Sequence, residues 1–174
     1  MRVLCVAEKP SIAKSISQIL SGGQLTTVSN ITCHNKPIIH RSSKHNTQTN
    51  YIKNYEFDYP QTQSFFTVTC VSGHLTAFDF YETHRKWNAC DSFDLFDAPE
   101  EIQVASDKKT IEQNLLTQAR RADVLMIWTD CDREGEHIGM EVAKVCRKAK
   151  PTIRIKRARF SAIIPQYAAS SPIP

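Results

Sequence analysis

Residues 122–136 of this chain read ADVLMIWTDCDREGE, an apolar run that leads directly into acidic side chains at alternate positions. The run 122–128 is short and rich in β-branched and aromatic residues, which is typical of a buried parallel strand. Beyond it, apolar side chains recur at helical spacing, at Ile138, Val142, Val145 and Cys146. The opposite, polar face of this predicted helix carries Glu141, Lys144 and Lys148. The stretch therefore predicts a strand, an acidic turn and a helix in direct succession.

Other segments continue this alternation of strands and helices along the chain. Strands are predicted at 3–7, 65–71 and 152–160, and helices at 10–20 and 108–121. Pro10 suits the first turn of the first helix, and the Gly22-Gly23 pair ends it. The order β-α-β-α-β-α-β predicts an α/β domain with a mainly parallel, doubly wound sheet flanked by helices.

The acidic turn carries three carboxylates, from Asp130, Asp132 and Glu134. It falls at the carboxyl edge of the predicted sheet, where open α/β sheets bind their ligands. Three close carboxylates repel one another unless a cation bridges them, and oxygen ligands favour Mg²⁺ or Mn²⁺ over Zn²⁺. The pattern indicates a divalent metal site, and the alternative is a solvated turn with helix-capping acids.

Glu8 and Lys9 follow the first predicted strand in the same way. If the two strands are neighbours, Glu8 faces the acidic turn and Lys9 faces an anion held there. The alternative is a capping Glu beside an exposed Lys.

Composition is that of a single globular domain. The 174 residues are 41% hydrophobic and 23% charged, and no apolar run approaches the ~20 residues of a membrane span. The N-terminus shows no signal-peptide pattern. Six cysteines occur without a C-x-x-C pair, which favours reduced core cysteines over a zinc site or a disulfide framework.

Charge is unevenly distributed along the chain. All 18 acidic residues lie at or before Glu141, whereas eight basic residues and no acid occur from Lys144 to Arg159. A basic segment beside an acidic metal site suits a phosphodiester polymer, and the alternative is an ordinary solvated face.

Four motifs together resemble one known family. They are VAEKPSIAK at 6–14, VSGHL at 71–75, LFDAP at 95–99 and WTDCDREGE at 128–136. In order and spacing they resemble the N-terminal Toprim domain, a Rossmann-like fold, of the eukaryotic DNA topoisomerase III group of type IA topoisomerases. The resemblance covers most of the chain, apart from residues 28–50 and the last few.

The resemblance implies Mg²⁺-dependent transient breakage of a DNA single strand, strand passage and rejoining. Glu8 is then the general acid-base group at the leaving 3′ oxygen, and Lys9 stabilises the scissile phosphate. Asp130, Asp132 and Glu134 hold Mg²⁺, with Glu8 in the same metal set.

Two further residues gain expected roles from the resemblance. Arg133 is expected to pair with a phosphate, unless it turns outward into a salt bridge. His74 is expected to line the site, unless it is a structural histidine with satisfied hydrogen bonds.

The resemblance also implies partners and a location. The expected partners are single-stranded or negatively supercoiled DNA, a RecQ-type helicase and an OB-fold accessory protein, with no membrane association. The expected location is the nucleus.

The domain organisation is predicted as a Toprim domain over 1–165, a disordered insertion at 28–50, and a truncated or disordered tail at 166–174. The family's nucleophilic tyrosine belongs to a separate downstream domain, and none of the tyrosines of this chain has its sequence context. The isolated chain is therefore expected to be inactive. The alternative functions are another Toprim phosphotransfer enzyme, primase-like or nuclease-like, and a non-catalytic product that binds Mg²⁺ or DNA.

Overall fold

The structure is a computed structural model that describes residues 1–29 and 52–160. Its strands are β1 (Arg2–Ala7), β2 (Thr26–Ser29), β3 (Lys53–Tyr59), β4 (Ser64–Cys70), β5 (Thr76–Phe80), β6 (Glu100–Val104), β7 (Val124–Trp128) and β8 (Arg154–Arg157). Its α-helices are α1 (Pro10–Leu20), α2 (Glu82–Arg85), α3 (Lys109–Arg121) and α4 (Arg133–Ala149). Short 3₁₀ turns occur at Pro60–Thr62, Asp94–Phe96 and Ser106–Lys108.

The main sheet has the strand order β2-β3-β4-β1-β7-β8. Strand β1 runs parallel to β4 and to β7, and β7 runs parallel to β8. The predicted mainly parallel α/β fold is confirmed. The antiparallel edge made by β2 and β3 was not predicted from the sequence.

The sheet is buried between helices on both faces. On one face, Ile12 and Ile16 of α1 pack against alternate residues of β1, such as Val3 and Cys5. On the other face, α3 and α4 cover the intervening residues of β1, such as Leu4. Burial on both faces explains why β1 and β7 are continuously apolar in sequence. Each fully buried aliphatic side chain contributes about 1.5–3 kcal/mol to folding.

A second, two-stranded sheet, formed by β5 and β6, lies beside α4. The segment between its strands contains the LFDAP motif and exposes large aromatic side chains. These are Trp87, Phe93 and Phe96, with exposed fractions of 90%, 82% and 86%. No helix among the described residues has the length and apolarity needed to cross a bilayer.

Several sequence predictions need correction. Val28 and Ser29 belong to strand β2, so regular structure extends into the segment 28–50 that was predicted as disordered. Residues 30–50 and the predicted tail 166–174 lie outside the described residues.

Glu141, which the helical pattern placed on the solvent face of α4, is only 4% exposed. The reason is tertiary: residues 74–76, which lead into β5, pack over this part of α4.

Candidate functional site

The first half of the site forms where β1 and β7 end side by side. Ala7 is paired with Trp128, so the residues that follow each strand emerge next to each other. The Glu8 backbone N–H donates to the Trp128 carbonyl at 3.3 Å. In return, the Asp130 backbone N–H donates to Glu8 Oε2 at 3.2 Å, and Glu8 is only 7% exposed. The predicted proximity of Glu8 to the acidic turn is therefore present in the fold.

Lys9 lies between the two carboxylates. Its Nζ is 3.0 Å from Asp130 Oδ2 and 3.3 Å from Glu8 Oε1. The hydrogen bond to Asp130, followed by that to Glu8, raises the pKa of Lys9 above its ordinary value. The ammonium group is therefore charged at neutral pH, and it offers its positive charge at the sheet edge.

The acidic turn is held against β7 by local contacts. Asp132 caps helix α4, because its Oδ1 accepts the Gly135 backbone N–H at 2.6 Å. A Cβ atom at Gly135 would lie 2.0 Å from the Asp130 carbonyl oxygen, so only glycine fits there. The Thr129 hydroxyl donates to the Gly135 carbonyl at 2.7 Å. These contacts fix the turn that carries the carboxylates.

Arg157, at the end of β8, holds the turn from the other side. Its Nη2 donates to the Asp130 carbonyl at 2.8 Å, and its Nε donates to Glu136 Oε1 at 2.9 Å. In the sequence, Arg157 is recognisable only as part of the basic segment. Its role depends on β8 lying beside β7, which no local pattern in 154–157 indicates.

The other two carboxylates of the acidic turn are more exposed to solvent than Glu8. Asp132 and Glu134 are exposed, and the Glu134 side chain retains 68% of its accessible surface. Arg133 is also exposed, and it makes no hydrogen bond or ion pair within the described residues. The salt-bridge alternative for Arg133 therefore does not apply within this part of the chain.

His74 reaches the site from the turn after β4. Ser72 and Gly73 adopt positive φ angles of 57° and 85°, and the Ser72 N–H donates to the Glu8 carbonyl at 2.9 Å. This turn brings His74 Nε2 to 3.9 Å from Glu134 Oε1. The other ring nitrogen, Nδ1, lies 3.4 Å from Glu141 Oε1. His74 thus borders the acidic turn and also has a buried carboxylate partner.

Glu141 was missed as a site residue because its sequence context is that of a polar helix face. Its Oε2 accepts the Leu75 backbone N–H at 2.9 Å, and its Oε1 accepts the Thr76 hydroxyl. Burial acts to raise the pKa of Glu141. Hydrogen bonds from Thr76, Leu75 and His74 outweigh that effect and bring the pKa below its ordinary value. The carboxylate is therefore ionised at neutral pH.

The described residues contain one group of three metal-ligating side chains whose ligand atoms all lie within 4.8 Å of one another, namely His74, His137 and Glu141. The carboxylates of Asp130, Asp132 and Glu134 share an edge of the sheet without reaching that proximity. They offer oxygen ligands alone, which fits a Mg²⁺ ion that keeps several of its waters.

The electrostatics of this edge favour an anion as well as a cation. Helices α1 and α4 both begin here, so the positive ends of their dipoles face the site. Lys9 adds a full positive charge within reach of Glu8 and Asp130. A buried carboxyl group, an ammonium group and exposed carboxylates together suit acid-base and metal-assisted chemistry on a phosphate ester.

Comparison with known proteins gives a family and relatives. The Toprim domain pattern matches residues 3–163. DNA topoisomerase 3-alpha of Arabidopsis thaliana is 42% identical over 93% of this chain and 16% of its own length. DNA topoisomerase 3 of Schizosaccharomyces pombe is 40% identical over 92% of this chain and 24% of its own length. Human DNA topoisomerase 3-alpha is 40% identical over 94% of this chain and 15% of its own length.

These matches confirm the resemblance that the four motifs indicated. The chain spans about a sixth to a quarter of the length of these relatives. Among solved structures, full-length topoisomerase I from Thermotoga maritima aligns with a TM-score of 0.51 and 23% identity. That alignment covers 95% of this chain and 19% of the Thermotoga chain, and it supports the fold.

Proposed function

This chain belongs to the Toprim domain family, and from that premise we propose that it is the Toprim part of a type IA DNA topoisomerase of the topoisomerase III group. The relatives that match most of its length at 40–42% identity are DNA topoisomerases 3. The proposed domain spans residues 1–165. The observation that carries the proposal is the junction of β1 and β7, where Glu8 is buried against the Asp130 backbone and Lys9 bridges both carboxylates.

In the proposed reaction, the hydroxyl oxygen of a tyrosine from another domain, which releases its proton to water, attacks the phosphorus of a DNA phosphodiester. The bond from phosphorus to the 3′ oxygen breaks, which leaves a 5′-phosphotyrosine and a free 3′-hydroxyl. Glu8 donates the proton that the leaving 3′ oxygen takes up, and accepts it again when the strand is rejoined. Lys9 stabilises the negative charge on the phosphate during both steps.

The tyrosines buried in this chain do not supply the nucleophile. Tyr55 and Tyr59 pack in the core, and burial raises the pKa of each above its ordinary value. None of the tyrosines of the chain has the sequence context of the family's nucleophile, so we expect the isolated chain to give no relaxation of supercoiled DNA.

Asp130, Asp132 and Glu134, with Glu8 beside them, are the residues proposed to hold Mg²⁺. When bound, the ion would neutralise phosphate charge and favour in-line geometry at the 3′ end. Arg133 and His74 are proposed to contact DNA phosphates, because one is exposed without a partner in the described chain and the other borders Glu134. The proposed partners remain DNA, a RecQ-type helicase and an OB-fold accessory protein, and the proposed location is the nucleus.

A chimeric enzyme tests this function directly. Residues 1–165 would replace the matching segment of Schizosaccharomyces pombe DNA topoisomerase 3, with which they share about 40% identity. We expect the chimera to relax negatively supercoiled plasmid in the presence of Mg²⁺ and to form a covalent adduct with single-stranded DNA. Glu8→Gln in the chimera should abolish both, since the buried carboxyl group can then no longer transfer a proton.

The control is a chimera with Asp58→Asn, an exposed carboxylate outside the site and outside the four motifs, which should retain activity. A chimera that melts cooperatively like the parent enzyme but forms no adduct would contradict the proposal. Hydrolytic nicking without an adduct would favour a nuclease-like Toprim enzyme, and nucleotide polymerisation would favour a primase-like one.

A further inference from the structure

We propose that His74, His137 and Glu141 form a second metal site, selective for a transition metal ion of the Zn²⁺ class and separate from the carboxylates of the acidic turn. The three residues come from two parts of the chain. His137 and Glu141 lie one helical turn apart on α4. His74 lies in the loop that follows β4. Their ligand atoms all lie within 4.8 Å of one another.

Two of the three distances between ligand atoms are close to those around a tetrahedral ion. His74 Nδ1 is 3.4 Å from Glu141 Oε1, and His137 Nε2 is 3.7 Å from the same oxygen. Zinc binds imidazole nitrogen and carboxylate oxygen at about 2.0–2.2 Å, which places neighbouring tetrahedral ligands about 3.3–3.5 Å apart. Small side-chain movements would therefore complete three corners of the coordination shell.

The carboxylate of the site is already oriented by groups behind it. Glu141 is buried, the Leu75 backbone N–H binds its Oε2 at 2.9 Å, and the Thr76 hydroxyl binds its Oε1. Such support from neighbouring groups is what metal-binding carboxylates in proteins receive. The side chains of His74 and His137 retain 39% and 59% of their accessible surface, so an ion can enter from solvent.

The ligand types decide which ion suits the site. Two imidazoles and one carboxylate favour Zn²⁺ and related transition metals, whereas Mg²⁺ prefers oxygen ligands alone. The fourth position is left to water or to another ligand.

Metal binding here would act on the acidic turn through His74. A metal ion on Nδ1 leaves the proton on Nε2, and that nitrogen faces Glu134 Oε1 at 3.9 Å. The occupied site would thus fix the tautomer of His74 as a donor towards Glu134.

Co²⁺ is the probe that tests the site, because tetrahedral Co²⁺ absorbs strongly in the visible range whereas octahedral aqueous Co²⁺ does not. We expect the full chain to bind one equivalent with a tetrahedral spectrum, and Zn²⁺ but not millimolar Mg²⁺ to displace it. His137→Asn should weaken binding at least about tenfold without loss of the fold, because His137 is an exposed helix residue. His74→Asn should do the same.

Two control variants separate this site from its neighbours. Cys131→Ser removes an exposed thiol, and His84→Asn removes a histidine outside the cluster; both should retain Co²⁺ affinity. Unchanged affinity in His137→Asn, or loss of the spectrum in Cys131→Ser, would overturn the proposal because Co²⁺ would then be bound by other ligands. The absence of a tetrahedral spectrum in the full chain would overturn it too, and would indicate a hydrogen-bonded His-Glu cluster without an ion. The assay measures binding without DNA, so its outcome is independent of the proposed strand-breaking function.

Discussion

At the scale of single residues, the acidic turn depends on a glycine. Gly135 lies so close to the Asp130 backbone that an added Cβ would come within 2.0 Å of its carbonyl oxygen and 2.9 Å of its nitrogen. The Asp130 backbone is held by hydrogen bonds to Glu8 and Arg157, so it cannot move away as the end of a flexible side chain can. The position of the Asp130 carboxylate therefore depends on a residue that contributes no chemistry itself.

Gly135→Ala should destabilise the protein by about 1–3 kcal/mol, as overpacking in a rigid site does. Urea unfolding followed by circular dichroism measures the change. In the chimera, the same variant should lower DNA cleavage because it displaces Asp130.

Gly139→Ala is the matched control. A Cβ there would lie 3.1 Å from a methyl group of Ile127, which can shift, and alanine also improves helix propensity by about 1 kcal/mol. We expect a change in unfolding free energy close to zero. Equal effects of the two substitutions would contradict the role assigned to the Gly135 contact.

At the scale of elements, helix α4 starts within the acidic motif. Asp132 is both its N-cap and a proposed metal ligand, so one side chain serves stability and chemistry. The apolar spacing in the sequence begins only at Ile138, whereas the helix begins at Arg133. The difference arises because the cap is made by the side chain of an acidic residue that the pattern assigned to the turn.

Substitutions of Asp132 should separate its two roles. Asp132→Ala removes the cap and should cost about 0.5–2 kcal/mol, whereas Asp132→Asn retains a capping oxygen and should leave stability nearly unchanged. Both remove the negative charge, so both should weaken Mg²⁺ binding, as measured by calorimetry. An Asp132→Asn variant as unstable as Asp132→Ala would show that charge, not capping, stabilises the helix.

Strand β8 contributes to the site through one side chain. Arg157→Lys should destabilise the protein by about 1–3 kcal/mol, because lysine cannot donate at once to the Asp130 carbonyl and to Glu136. Thermal melting and urea unfolding measure the loss. Arg159→Lys, at an exposed position two residues on, should be neutral, and a neutral Arg157→Lys would exclude Arg157 as a support of the turn.

At the scale of the whole molecule, the first residue of β1 is hydrogen-bonded to the residue that precedes β7. Asp123 Oδ2 accepts the Arg2 backbone N–H at 3.0 Å, and its Oδ1 lies 3.4 Å from Lys150 Nζ. The Arg2 hydrogen bond, which outweighs the opposing effect of burial, holds the pKa of Asp123 below its ordinary value of 3.8, and Lys150 lowers it further. Asp123 thus connects β1, β7 and the end of α4.

This lowered pKa predicts a pH dependence of stability. The unfolded chain binds a proton at Asp123 more readily than the folded one, so the contribution of Asp123 is present above pH ~4 and is lost as pH falls through the folded pKa. In urea unfolding, Asp123→Asn should have a lower free energy of unfolding than wild type at pH 7. This difference between the two proteins should shrink as the pH is lowered to 3. Asp58→Asn, which removes an exposed carboxylate without a hydrogen bond or ion pair in the described part of the chain, is the control for the loss of charge. A difference in unfolding free energy that stays constant at every pH would indicate that the substitution disturbs packing at residue 123. It would contradict a stabilising role of the ionised carboxylate.

The sequence by itself determined the parallel centre of the fold and the residues of the acidic turn. Short runs that are apolar on both faces indicate parallel strands covered by helices, as at 3–7 and 124–128, and neighbouring parallel strands place their following residues at one edge. The proximity of Glu8 and Asp130 could therefore be predicted from local patterns and from the topology that these patterns imply.

Only the tertiary structure decided which polar residues join that edge. Glu141 looks solvent-exposed in helical projection, yet it is buried because residues 74–76 pack over α4. Arg157 and the antiparallel strand β3 likewise take their places through neighbours distant in sequence. Periodicity reports which face of an element is apolar, but contacts between elements decide whether a polar side chain meets solvent, a carbonyl group or another ligand.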